Sequence, residues 1–168
     1  MQTLSSVIVY HDLMATQRQG TDFGILLGLA YQAFVVELRD DLERAGLDGL
    51  GRADGYVFRA LDEQPLTVSE LATRLGVTKQ AAGQIVTDME ERSLVSRRPD
   101  PDDGRARLLE LTPEGRQALR RARSFHRRFE ARLARELGPE AVATVVQALE
   151  HVGAAEGRGE PRIRAHYL

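Results

Sequence analysis

Lys79, Gln80 and Gln84 stand close together in the stretch TKQAAGQIV, Thr78 to Val86, and Lys79 is the only lysine in the chain. A carboxamide presents a donor and an acceptor side by side, which matches the edge of adenine, and an ammonium can donate to guanine. On a helix, Ala82, Ile85, Val86 and Met89 recur on one side at core spacing. Lys79, Gln80, Gly83, Gln84 and Thr87 fall off that side and face outwards. Ala81 and Gly83 keep the approach slim, and Thr78 as N-cap leaves the first amides available to a phosphate. The same pattern also describes a solvated helix face with nothing bound.

A second group follows in SRRPDPDDGRARLLEL, where a turn brings Arg97, Arg98, Arg105 and Arg107 together. Arginines at a hairpin tip can neutralise phosphates or enter a narrow minor groove. Asp100, Asp102 and Asp103 share the loop and would repel phosphate unless they serve the turn. Asp103 is the best placed to brace an arginine through a charge-assisted hydrogen bond. The competing reading is a surface hairpin with internal ion pairs. Positive and negative side chains nearly balance from Arg74 through Arg107, so any anion-binding surface is a narrow stripe.

Enzymatic chemistry finds little support. His11, His126, His151 and His166 are dispersed, without a partner at metal-ligand spacing, and no glycine-rich phosphate loop follows a strand. With no cysteine, thiolate catalysis, cysteine-ligated metals and thiol redox sensing are all excluded. No catalytic residue, metal or cofactor is expected.

The elements that must position these residues are mostly helical. FGILLGLAYQAFVVELRDDLERAG reads as one long helix, apolar over much of its circumference as far as Val36. Such a face calls for cover from another helix layer or another subunit. LDGLGRADG reads as a flexible connection, and GYVFRALDEQ as a short helix. LTVSELATRLGV starts with Thr67 and Glu70 at capping-box spacing, and the chain restarts at Thr78. Two short capped helices joined this way are a helix-turn-helix signal. Leu94 and Val95 open a strand, Pro99, Pro101 and Gly104 punctuate a turn, and Leu109 and Leu111 alternate on the return. Thr112-Pro113 starts a long helix to about Leu137, Gly138-Pro139 breaks it, and PEAVATVVQALEHVGA is the last helix. SSVIVYH could form a short strand near the start, and the tail EGRGEPRIRAHYL reads as loose or draped over a partner subunit.

The expected fold is mainly α with a small β-hairpin wing, a winged helix-turn-helix within a helical dimerisation frame. The expected regions are 1–48, an N-terminal segment and long helix; 49–111, the winged helix-turn-helix; and 112–168, the C-terminal helices and tail. At 168 residues and 42% hydrophobic content the chain suffices for one core, built from Leu, Val and Ala because aromatics are only 5%. No run approaches the roughly 20 apolar residues of a membrane span. The first residues make a poor signal peptide, so a cytoplasmic location is the default. The net charge of -2 neither advertises nor excludes nucleic acid, because local charge decides.

LTVSELATRLGVTKQAAGQIVTDMEERSLVSRRPDPDDGRARLLELTPEGRQAL resembles the MarR family of bacterial transcriptional regulators over roughly residues 55 to 120. The specific part is the ordered set LA..LGV, TKQAAG, L-V-x-R, D-P-x-D-G-R and L-T-P-E-G. The resemblance implies a homodimer with intertwined terminal helices that binds a pseudopalindromic duplex, most often as a repressor. It makes Thr78 to about Arg92 the recognition helix, Arg105 the wing arginine and Asp103 its brace. Many members take small aromatic acids or drugs, for which Tyr31, Phe34, Tyr56, Phe58 and Arg59 are candidate lining, though each also suits core packing. The chain departs from the pattern at Ser93, where members often have glycine, and in Asp103-Gly104-Arg105, where two arginines often follow the aspartate.

Overall fold

Three threonines, Thr67, Thr78 and Thr112, cap helix starts. Thr67 caps α3 (Val68–Leu75) by a capping box: its hydroxyl accepts from the Glu70 N–H at 3.3 Å, and Glu70 accepts from the Thr67 N–H at 2.7 Å. That main-chain bond, together with the Thr67 hydroxyl, holds the Glu70 carboxyl below its ordinary value. Thr112 caps α5 (Pro113–Leu137), whose first residue is a proline that needs no N–H partner. The remaining helices are α1 (Phe23–Glu43), α2 (Arg52–Glu63), α4 (Lys79–Glu91) and α6 (Pro139–Ala155). The computed structural model describes residues 22–50 and 52–155. The N-terminal SSVIVYH and the C-terminal tail, with His11 and His166, lie outside the described residues.

The chain divides into two units, residues 1–40 and 41–168. The described part of the first is the apolar body of α1, where Phe23 is 70% and Val36 59% exposed. The second holds the core. Val57, Phe58 and Leu61 from α2, Leu71 and Leu75 from α3, and Val86 and Met89 from α4 pack with Leu94, Val95, Leu109 and Leu111 of the hairpin and with Ala118 and Leu119 of α5.

The hairpin pairs β1 (Val95–Pro99) antiparallel with β2 (Arg107–Leu111), Val95 opposite Leu111 and Arg97 opposite Leu109. Period-two alternation sends Val95, Leu109 and Leu111 inwards, all buried. Leu66 adds a bridge missing from the sequence reading: it exchanges both main-chain hydrogen bonds with Leu109, at 2.7 and 3.3 Å.

One expectation is corrected. The GRADG segment is no linker beyond Gly51, because α2 begins at Arg52 and takes Ala53, Asp54 and Gly55 into its first turn. Asp54 is 3% exposed, and Arg92 grips both its carboxylate oxygens, at 2.7 and 3.0 Å. The second buried carboxylate, Asp41, accepts two bonds from Arg121 and one from Arg128, each 2.8 Å, and so ties the end of α1 to α5.

Candidate nucleic-acid interface

The path into the candidate reading helix is a tight turn. Gly76 ends α3 in the left-handed region at φ 65°, returning its N–H to the carbonyls of Ala72 and Thr73. Thr78 then caps α4, its hydroxyl accepting from the Ala81 N–H at 3.1 Å. Ala82, Val86 and Met89 are buried and Ile85 packs against the same core. With that face fixed inwards, Thr78, Lys79, Gln80, Gln84 and Thr87 are exposed. The Thr87 hydroxyl donates to the Gly83 carbonyl at 3.0 Å. A Cβ on Gly83 would meet nothing within 4 Å, so no contact inside the protein requires glycine there.

The arginines of the hairpin fall into two pairs. Arg97 reaches Glu90 of α4 at 3.0 Å, and Arg98 bonds Glu110 across the strands at 3.1 Å. Being adjacent on one strand, they point to opposite faces, so the turn does not gather all four arginines on one surface. Arg105 and Arg107 are exposed, and among the described residues neither guanidinium has an ion-pair or hydrogen-bond partner.

Two of the three loop carboxylates bond the main chain. Asp100 accepts from the Asp102 N–H and Asp103 from the Arg105 N–H, both at 2.9 Å. The Ala106 N–H closes on the Asp103 carbonyl at 2.9 Å. Asp103 therefore holds Arg105 by its backbone, where the sequence reading expected a bond to the guanidinium. A carboxylate two residues before an N–H forms such a turn without help.

At the far end of α4, the role of Arg92 is missing from the sequence reading. Arg92 is its C-cap; besides Asp54 it bonds the Gly49 carbonyl at 3.2 Å and the Asp88 carboxylate. Asp54, foremost by its hydrogen bonds, raises the pKa of that guanidinium. Ser93 follows at φ 57°, the left-handed conformation that glycine adopts without cost. The departure at Ser93 is thus a change of residue with the backbone geometry kept, and its carbonyl is held by the Thr112 hydroxyl at 2.6 Å.

Of the candidate effector-lining residues, Phe58 is 2% exposed within the core. Tyr56 is 42% exposed and Arg59 is exposed on α2; on α1, Tyr31 is exposed and Phe34 half-buried. Among the described residues no cluster of three or more His, Asp or Glu side chains could hold a metal ion, and no helix is long and apolar enough to cross a membrane.

Two capped helices, a tight turn and a two-stranded hairpin between longer helices define a winged helix-turn-helix protein. The MarR family model matches residues 48–106. Over 119 residues the chain is 36% identical to the HTH-type transcriptional regulator PetP of Rhodobacter capsulatus, covering 70% of this chain and 68% of that one. The fold is similar to that of reduced MarR from E. coli, with a TM-score of 0.63 at 22% identity over 80% of this chain and 98% of that one. It is also similar to the transcriptional repressor CouR bound to a 23-mer DNA duplex, with a TM-score of 0.56 at 28% identity over 80% and 99% of the two chains. The chain belongs to the MarR family of winged helix-turn-helix transcriptional regulators.

Proposed function

We propose that this protein is a sequence-specific double-stranded DNA-binding regulator, acting in the cytoplasm as a homodimeric repressor that a small aromatic or acidic effector releases. One observation carries the reading. The exposed face of α4 offers Lys79, Gln80 and Gln84, while the wing offers Arg105 and Arg107, with Asp100 and Asp103 engaged by the main chain. In this reading Lys79, Gln80 and Gln84 meet base edges, Gly83 admits them to the groove, and Thr78, Thr87, Arg105 and Arg107 meet phosphates. The solved CouR complex with a DNA duplex supports it.

The dimer is supported by apolar side chains left exposed in one copy: Phe23, Ile25 and Val36 on α1, and Val145, Leu149 and Val152 on α6. Two-fold symmetry would present two copies of α4 to half-sites about 34 Å apart. The effector would act by binding one spacing of those helices better than the other.

Selection of duplexes from a random pool, followed by titration at several salt concentrations and with candidate aromatic acids, tests the reading. A selected duplex whose affinity falls steeply with salt supports it. Affinity indifferent to salt, or no enrichment, favours a winged-helix protein-interaction module without DNA affinity. That alternative draws on the internal pairing of Arg97 with Glu90 and Arg98 with Glu110.

A further inference from the structure

The candidate reading edge lies at one end of α4 and its charged fastening at the other. Arg92 closes the helix, and its guanidinium is fully committed: Nη1 to Asp54 and the Gly49 carbonyl, Nη2 to Asp54 and the Asp88 carboxylate, Nε to the Asp88 carbonyl at 3.4 Å. The Asp54 side chain is only 4% exposed and sits in the first turn of α2. Gly49 belongs to the loop that enters α2 and has φ 72°. One side chain thus joins the end of α4 to the beginning of α2 and to the loop before it, across 38 residues of sequence.

A two-pronged arginine–carboxylate pair fixes direction as well as distance, because both N–H···O bonds must stay in one plane. The buried apolar residues of α4 determine which face turns inwards. Packing at Ala82, Val86 and Met89 also limits tilt, and the fork adds a directional restraint at the C-terminal end of the helix. The helix has 13 residues, so Lys79 stands about 20 Å from the fork. Over that arm a tilt of about 10° carries the far end through about 3 Å, whereas recognition geometry must hold to about 0.5 Å.

We infer that Asp54 and Arg92 are a positioning pair for sequence discrimination: they set the angle of α4 from the end that touches no DNA. The inference rests on the DNA-binding reading. It separates two quantities that a loss of folding would move together. Binding to random duplex depends on charge reaching phosphates and tolerates a tilted helix, while binding to the preferred duplex does not.

The experiment uses full-length protein, the duplex selected by the wild type, and a random duplex of equal length. Arg92→Lys keeps the charge and removes the fork. Preferred-duplex affinity is expected to fall about tenfold, with random-duplex affinity within about twofold and the salt slope unchanged. Asp54→Glu keeps charge and both acceptors but moves the pivot, and should lower the ratio less. Thermal unfolding is recorded for each variant. A preferred-to-random ratio unchanged in Arg92→Lys, whatever its unfolding temperature, overturns the inference. If neither variant folds, Asp54→Asn keeps the side chain's size and one acceptor oxygen while removing the second prong of the fork; a ratio reduced about threefold supports the inference, and an unchanged ratio overturns it. A wild type that selects no duplex sinks the DNA reading and the inference with it, whereas failure in the variants alone sinks only the inference.

Discussion

Gly115 lies so close to Leu94 that a Cβ on it would stand 2.1 Å from the Leu94 carbonyl oxygen. That oxygen also accepts the Thr112 N–H at 3.1 Å, so the end of the α4 segment and the start of α5 share one crowded junction. Gly115→Ala forces two backbones apart, a strain of roughly 1–3 kcal/mol. Thermal unfolding checks it: a fall of several degrees is expected, and an unchanged midpoint refutes the junction's tightness.

Gly83 makes the opposite case, because nothing surrounds its missing Cβ. Gly83→Ala should stabilise the helix by about 0.5–1 kcal/mol through a less flexible unfolded chain. The added methyl would face the groove, so duplex affinity should drop even as the unfolding temperature rises. A variant that gains stability and binds as before removes Gly83 from the interface.

For Arg105, the expectation is loss of phosphate contact with no loss of fold. Arg105→Ala should weaken binding to all duplexes by a similar factor and reduce the salt slope by about 1 per wing. Because Asp103 bonds the main chain of Arg105, the turn survives the substitution. Equal salt slopes for variant and wild type would count against the wing contact.

His126 gives the protein a pH response. Burial, then the nearby charge of Arg59, lowers its pKa from the usual 6.5. The folded state therefore favours neutral imidazole. Its stabilising share is fully present above 6.5 and is lost as pH falls through that value towards the lowered native one. His126→Gln should flatten the decline in unfolding temperature between neutral and mildly acidic buffer. Parallel pH profiles for the two proteins would contradict this.

Much of the frame is legible locally. Thr67 with Glu70, Thr78 and Thr112-Pro113 each declare a helix start within four residues, and each caps one in the structure. The spacing of Ala82, Val86 and Met89 likewise identifies the buried side of α4. What escapes is non-local or hidden by composition. Two glycines around Arg52, Ala53 and Asp54 look like a linker, and nothing nearby announces that Arg92 will bury Asp54 38 residues away. The partners of Arg97 and Arg98 depend on strand register and on the approach of α4. Asp103 is expected to brace an arginine by a charge-assisted bond, and whether it meets an N–H or a guanidinium depends on the local path of the turn, which residue types alone do not fix.

That last choice has a thermodynamic consequence. With Asp100 and Asp103 fastened to the N–H groups of Asp102 and Arg105, the loop's backbone is ordered at the moment of folding. Fixing a residue's backbone costs about 1–2 kcal/mol in conformational entropy. In the DNA-binding reading, a tip already shaped would leave mainly the side-chain freedom of Arg105 and Arg107 to be lost on association, so that the wing would meet a duplex preorganised.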